Sequence, residues 1–380
     1  LSELFFNRLE EELKSSRDKY LYREVRLNPE FHINLCSNDY FQLRLDSRVI
    51  EGANNACEKY GTGSGASPLL SGFLPCHQSL LDKLCRWKHK SHGMLFNSGF
   101  MANQAILKHL PGQKDLVLAD KLIHYSLAQA ITQNPARFKR YHHLDLEHLR
   151  KLLESHHKHY ETIFVVTESV FSMDGDYPDL KKLVALKKEY PFILILDEAH
   201  GTGVFGATGG GLAEEMQVQN QVDILIGTLG KSLASMGAYV LSDSSSLINY
   251  LINRAGEFIY STFLPPAQVG SAEIALKILQ SSKEKRNYLQ NISRKLRTTL
   301  QVKIQEGVSY ESPIIPVVIG SPDKTIEIRD YLLRQGIMVG AIRPPTVPPH
   351  TSRLRISLHT GVTQQSLNEL EEILVPWIKI

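Results

Sequence analysis

Apolar and polar positions change their spacing along the chain in a way that marks out three regions. Leu4, Phe5, Leu9 and Leu13 recur at helical spacing with charged residues between them, which predicts an amphipathic arm; residues 31–36 then alternate as a short strand does. From about Asp46 onward, short apolar runs alternate with helix-period segments, the pattern of a parallel sheet covered by helices. The clearest strands are predicted at 115–119, 162–167, 192–196, 223–226 and 238–241. None has a polar face, so burial on both sides is expected. Residues 178–189 read as a helix, with a proline near the start and lysines in the last turns. Beyond Leu264-Pro265-Pro266 the periods lengthen, predicting helices at 268–279 and 285–305 and strands at 314–319 and 354–358. The expected architecture is α/β: an N-terminal arm with a short strand over 1–45, a large domain with a mostly parallel sheet over 46–270, and a smaller C-terminal α/β domain over 271–380.

Length agrees with that division, because 380 residues exceed what a single core of ~250 to 300 residues organises. Lysine and arginine total 43 against 40 acidic residues, a net charge of +3 with no long block of one sign, so nucleic acid is not an expected partner. Hydrophobic residues at 42% and charged residues at 22% describe an ordinary folded protein rather than a disordered one. The longest apolar runs, such as 163–166 and 192–196, fall far short of the ~20 residues of a membrane span. Glutamates interrupt the first apolar positions, unlike a signal peptide, and a cytoplasmic protein with no membrane partner is expected. The cysteines at 36, 57, 76 and 85 form no CxxC pair, which argues against a disulfide scaffold or zinc ribbon. The histidine clusters at 142, 143 and 148, at 156, 157 and 159, and at 89 and 92 read as solvated helix faces, and no metal is expected.

Candidate chemistry centres on Asp197-Glu198-Ala199-His200, an acidic pair where an apolar run ends, the place open α/β sheets bind ligands. Such a sequence also suits the magnesium-binding strand of a nucleotide-binding module, which needs an earlier P-loop, GxxxxGK[ST]. The only Gly-Lys-Ser is 230–232; it comes after the acidic pair, and Leu225 stands where the first P-loop glycine belongs. What remains is an acid at a strand end and a later lysine, Lys231, in Gly227-Thr228-Leu229-Gly230-Lys231. That pair suits pyridoxal 5'-phosphate, whose aldehyde condenses with an amine and whose ring nitrogen is kept protonated by a carboxylate. The ring's charge would also match an aspartate that is costly to bury alone.

Asn97-Ser98-Gly99-Phe100-Met101-Ala102-Asn103 opens a helix whose first N–H groups would suit a phosphate, with Thr228 and Ser172 adding hydroxyls. His124 follows a predicted strand at the same sheet edge, where an imidazole would stack on a flat ring. The glycine runs at 61–65 and 209–211 read as flexible walls near a site.

At this point the segments IEGANNACEKYGTGSGAS, FNSGFMANQA, TESVFSMDGD, LILDEAHGTGVFG, GTLGKS, YSTFLPPA and AIRPPTVP with TSRLRIS resemble, in order, the motifs of the α-oxoamine synthases. These are fold-type I, aminotransferase-like enzymes that use pyridoxal 5'-phosphate as cofactor. The resemblance spans nearly the whole chain and implies a decarboxylative condensation of an amino acid with an acyl thioester. The motifs look most like those of members that join L-alanine to a pimeloyl thioester in biotin biosynthesis, the acyl group carried by coenzyme A or acyl carrier protein. A relative acting on glycine with an acetyl or succinyl donor is the alternative, and a nucleotide-binding module the remoter one.

Carried over residue by residue, the resemblance implies that Lys231 joins the cofactor, Asp197 holds its ring nitrogen, His200 bonds its phenolic oxygen and His124 stacks on it. Gly99 and Phe100 match the backbone that meets the cofactor, Ser172 and Thr228 add hydroxyls, and Thr262 reaches the phosphate from the neighbouring subunit of a homodimer with shared sites. Arg353 matches the grip on the substrate carboxylate, and Arg23, Asn38 and Thr346 match other substrate positions. The chain departs from the family pattern at SNDYFQL, at Pro68 and at Ser235-Met236.

Overall fold

A computed structural model describes residues 2–25, 27, 32–302 and 311–378. Two compact units divide the chain: Asn38–Ser172 with Asp176–Tyr288, and Leu1–Ser37 with Met173–Gly175 and Leu289–Ile380.

Among the described residues of the larger unit, seven strands form one sheet in the order His92–Phe96, Ala238–Ser242, Ile224–Thr228, Ile193–Asp197, Ile163–Glu168, Leu116–Asp120, Arg137–Tyr141. The strands from Ile224–Thr228 to Arg137–Tyr141 pair in parallel. The three central ones are almost wholly buried, as continuous apolar runs require when helices cover both faces. Ala238–Ser242 departs from the parallel expectation and runs antiparallel to both neighbours, because it returns from Thr228 through a short turn rather than a helical crossover. Each predicted strand appears within a residue or two of its expected limits. The helix expected at 178–189 is shorter, Leu180–Ala185 tightening into a 3₁₀ turn.

Helix Pro266–Gln280 belongs to this unit, so the division falls inside helix Lys283–Thr299 rather than near residue 270. The reason is a close helix crossing: a Cβ on Gly52 would meet Ile274 Cγ1 at 2.5 Å, and one on Gly270 would strike the Gly52 carbonyl oxygen. Helix Ser47–Tyr60 and helix Pro266–Gln280 thus pack backbone against backbone, which only glycine permits here.

In the smaller unit, four described strands order as Ile33–Leu35, Ile337–Ile342, Ser352–Ser357, Ile314–Gly320. The first pair is parallel and the others antiparallel. The strand expected at 31–36 therefore ties the N-terminal segment to the C-terminal fold, so the arm is not a separate piece. Phe31, and residues 303–305 of the helix expected at 285–305, lie outside the described residues. Helix Ser2–Asp18 forms where the amphipathic arm was expected, with Leu4, Phe5, Leu9 and Leu13 exposed. No helix among the described residues is long and apolar enough to cross a membrane.

Candidate active site

Four parallel strands of the larger unit end on polar residues, Asp120, Glu168, Asp197 and Thr228. Parallel strands bring their carboxyl ends to one edge, where open α/β sheets bind ligands. A cavity of about 210 Å³ lies at this edge, and Gly99, Phe100, His124, Asp197, His200, Thr228 and Lys231 all line it. Sequence distances of up to 132 residues thus collapse into one site. Asn103, Ser126 and Glu168 line it too, and sequence reasoning did not single them out.

Asp197 is buried at 6% exposure and held from two sides: Oδ1 accepts the Ala199 N–H at 2.9 Å, and Oδ2 accepts Asn103 Nδ2 at 3.0 Å. Asn103 sits one turn into helix Gly99–His109, capped by Ser98 Oγ, which accepts the Met101 N–H at 3.2 Å. Its amide also donates to Ser126 Oγ at 2.9 Å, which lies 2.7 Å from His124 Nδ1. The Ser126 N–H donates to that same Nδ1 at 3.3 Å, so Nδ1 is an acceptor and the ring proton of a neutral imidazole sits on Nε2. Burial favours this neutral form by lowering the His124 pKa, with the Asp197 charge opposing and Lys231 reinforcing. The signal for Asn103 was its place four residues after Gly99, on the same helix face.

Lys231 follows strand Ile224–Thr228 in a turn closed by the Leu229 N–H to the Gly237 carbonyl at 2.8 Å and the Ala234 N–H to the Lys231 carbonyl at 2.8 Å. Thr228 Oγ1 donates to the Gly237 carbonyl at 3.1 Å and accepts the Gly230 N–H at 3.1 Å. Gly230-Lys231-Ser232 opens this turn and no helix, so it lacks the helix N-terminus a P-loop uses for phosphate. The nucleotide-binding alternative loses its phosphate site for that reason.

His200 is buried, with Nδ1 2.6 Å from the Tyr40 hydroxyl. Asn38 stands nearby in sequence and accepts from Tyr40 Oη at 3.4 Å. Glu198, the second acid of the pair, turns away from the cavity. It accepts the Leu212 and Ala213 N–H groups at 3.1 and 2.8 Å, and a Cβ on Gly211, at φ +107°, would strike its carboxylate. The Gly209–Gly211 run is therefore a packed anchor for Glu198 and not a flexible wall. Lys88, buried beneath it, donates to Thr202 Oγ1 and the Gly210 carbonyl at 2.7 Å each; burial brings its pKa down to about 8 against the pull of Glu198 and Glu214.

Ser172 and Thr262 do not line the cavity, although the Thr262 carbonyl accepts Asn97 Nδ2 at 2.6 Å beside the start of the Gly99 helix. Arg23, Thr346 and Arg353 belong to the smaller unit. There Arg23 Nη2 donates to Thr346 Oγ1 at 3.1 Å, while Arg353 pairs through Nη1 with Asp174 and donates Nε to the Thr351 carbonyl at 3.0 Å. His143 departs from the solvated-face reading. It bridges Asp120 Oδ1 at 2.8 Å and Asp176 Oδ2 at 2.9 Å, since the strand-end Asp120 is wholly buried and needs a cation.

The residues fit a flat, anionic cofactor with a basic ring nitrogen. Asp197 supplies a buried negative charge, the Gly99 and Phe100 N–H groups begin a helix, and Asn103 Oδ1 is buried without a hydrogen-bond partner on a residue of the cavity wall. A Cβ on Gly99 would meet nothing closer than Thr228 Cβ at 3.9 Å, so the open space there is room for a ligand rather than for packing.

Comparison with known proteins places the chain in a family. The 8-amino-7-oxononanoate synthase of Geobacter sulfurreducens is 40% identical over 360 residues, 91% of this chain and 92% of its own. A serine palmitoyltransferase from S. paucimobilis, its structure containing bound PLP, superposes with a TM-score of 0.87 at 27% identity, covering 97% of this chain and 96% of its own. An 8-amino-7-oxononanoate synthase from Francisella tularensis superposes with a TM-score of 0.79 at 30% identity, covering 91% and 98%. Residues 32–374 match the family model for aminotransferase class I and II, and with that match across nearly the whole chain, the protein belongs to this family.

Proposed function

We propose that the chain is a pyridoxal 5'-phosphate-dependent acyltransferase that condenses L-alanine with a pimeloyl thioester, releasing carbon dioxide and free thiol and giving 8-amino-7-oxononanoate for biotin synthesis. The observation that carries this reading is the convergence of Lys231, Asp197, His124 and His200 on one cavity in a chain 40% identical to an enzyme of that name. When bound, the cofactor supplies an aldehyde for amine exchange and a ring that withdraws electrons from the substrate's α-carbon.

The chain's own residues then divide the work. Lys231 Nζ would hold the cofactor and, once freed from it, would serve as the general base for the substrate's α-proton. Asp197, steadied by Ala199 and Asn103, keeps a proton on the ring nitrogen. His124 covers one ring face as a neutral imidazole, and His200 binds the phenolic oxygen. The N–H groups of Gly99 and Phe100 take the phosphate, with the Thr228 side chain beside them at the cavity wall. Arg353 grips the alanine carboxylate, a planar bidentate match, and Arg23, Asn38 and Thr346 contact substrate. The acyl group arrives on coenzyme A or an acyl carrier protein. The working unit is a homodimer in the cytoplasm, with Thr262 reaching the neighbouring subunit's phosphate.

Borohydride reduction of the purified protein followed by peptide mapping tests the cofactor assignment: modification belongs on Lys231, and modification elsewhere overturns it. Thiol release is then measured with alanine, glycine and serine against pimeloyl, acetyl, succinyl and palmitoyl thioesters. Preference for glycine with a short donor, or for serine with palmitoyl, would replace the alanine and pimeloyl assignment. Light scattering of the purified protein checks the dimer.

A further inference from the structure

Glu168 and Asp197 end adjacent parallel strands and are paired in register, both line the cavity, and both are nearly sealed from water, at 3% and 6% exposure. Two like charges so placed repel strongly where water cannot screen them, and such a pair settles with one proton between its members. The donors decide which member ionises. Asp197 accepts two, the Ala199 N–H and Asn103 Nδ2, while Glu168 Oε1 accepts the His124 main-chain N–H at 2.5 Å. The charged groups acting on Glu168 are Asp197, Lys231 and Asp120, and the His124 main-chain N–H donates to it. Burial and then the Asp197 charge hold its carboxyl well above the usual carboxylate range, against the His124 hydrogen bond.

We infer that Glu168 is a positioning residue, a neutral carboxyl that fixes the His124 turn by accepting its N–H and leaves Asp197 as the one negative charge lining the cavity among the described residues. His124 is the N-cap of helix Tyr125–Thr132, so its main-chain N–H precedes the helix and needs an acceptor from elsewhere in the fold. An ionised Glu168 would compete with Asp197 for the proton on the cofactor ring and would hold a proton on Lys231, which must shed one to act as a base. The inference rests on the reading that His124 covers the cofactor.

The test compares holoprotein of the wild type, Glu168→Gln and Glu168→Ala by cofactor dissociation constant and by the pH course of the visible cofactor band. Glu168→Gln keeps a neutral acceptor, so its affinity stays within about threefold of wild type and the band keeps its pH midpoint. Glu168→Ala loses the anchor and about tenfold or more in affinity. A midpoint displaced by about one pH unit in Glu168→Gln would show that the wild-type side chain is ionised and would overturn the inference. Unchanged affinity in Glu168→Ala would overturn the positioning role; if that variant does not fold, Glu168→Gln decides alone. Absence of the band in wild type is a different failure, that of the cofactor reading, and the inference falls with it.

Discussion

The Tyr40 hydroxyl lies 2.6 Å from His200 Nδ1, and the tyrosine ring is completely buried. This bond joins the segment after Ser37 to the turn after Asp197, and it sets the orientation of the His200 imidazole at the cavity wall.

Removing that hydroxyl should leave the fold intact, because Tyr40→Phe nearly conserves volume. With the proposed role of His200, kcat/KM falls about tenfold, most of it in kcat. Steady-state kinetics beside thermal denaturation separates the two effects. A large loss of melting temperature with unchanged kinetics would make the pair a packing contact only.

Asp197→Asn keeps shape and removes charge, so the proton on the cofactor ring loses its partner. The expected fall in kcat is on the order of 10²-fold or more, with cofactor still bound. Asn103→Ala acts through Asp197 and Ser126 and costs about tenfold. The double variant should fall short of the product of the two, since both changes act on one carboxylate. Independent, multiplying effects would contradict the hydrogen-bonded row from Asp197 to His124.

Arg353 already holds a carboxylate, that of Asp174, within the smaller unit. If alanine takes the place of Asp174, Arg353→Gln raises KM for alanine by about tenfold or more, while Asp174→Asn lowers it by a few-fold. Alanine titration of the cofactor band gives the same constants without turnover. A higher alanine KM in Asp174→Asn would mean that Asp174 orients the arginine instead.

His143 links stability to pH with a definite sign. Burial alone would depress the imidazole, but its hydrogen bonds to Asp120 and Asp176 and their charges raise it to about 10. The folded value thus lies above the unfolded one of about 6.5, so the stabilisation is complete below about pH 6 and is lost as pH rises toward 10. Its size is on the order of a few kcal/mol at most. Urea midpoints at pH 6 and pH 9.5 should differ more for wild type than for His143→Gln. Equal pH dependence in the two proteins would remove His143 as the cause.

Local regularities carried much of this protein in its sequence. Apolar runs bounded by turn residues marked the parallel strands, because strands buried on both faces admit no polar position. An acid ending one such run and a lysine after another pointed to the cofactor chemistry, and the ordered motifs to the family. Four things depended on approach in space. The crossing at Gly52 and Gly270 put helix Pro266–Gln280 in the larger unit, and the pairing of Ile33–Leu35 with Ile337–Ile342 gave the N-terminal segment to the smaller one. Glu198 and Asp197, adjacent in the chain, face different surroundings because successive residues after a strand point apart, one to the cavity and the other into a glycine turn. Glu168 was not singled out in the sequence; register set it beside Asp197 and under the His124 N–H. Residue types and their order determined which chemistry was available. Which carboxyl keeps its charge was decided by tertiary structure alone, because burial, the number of donors and the distance to a second acid are properties of neighbours in space rather than in sequence.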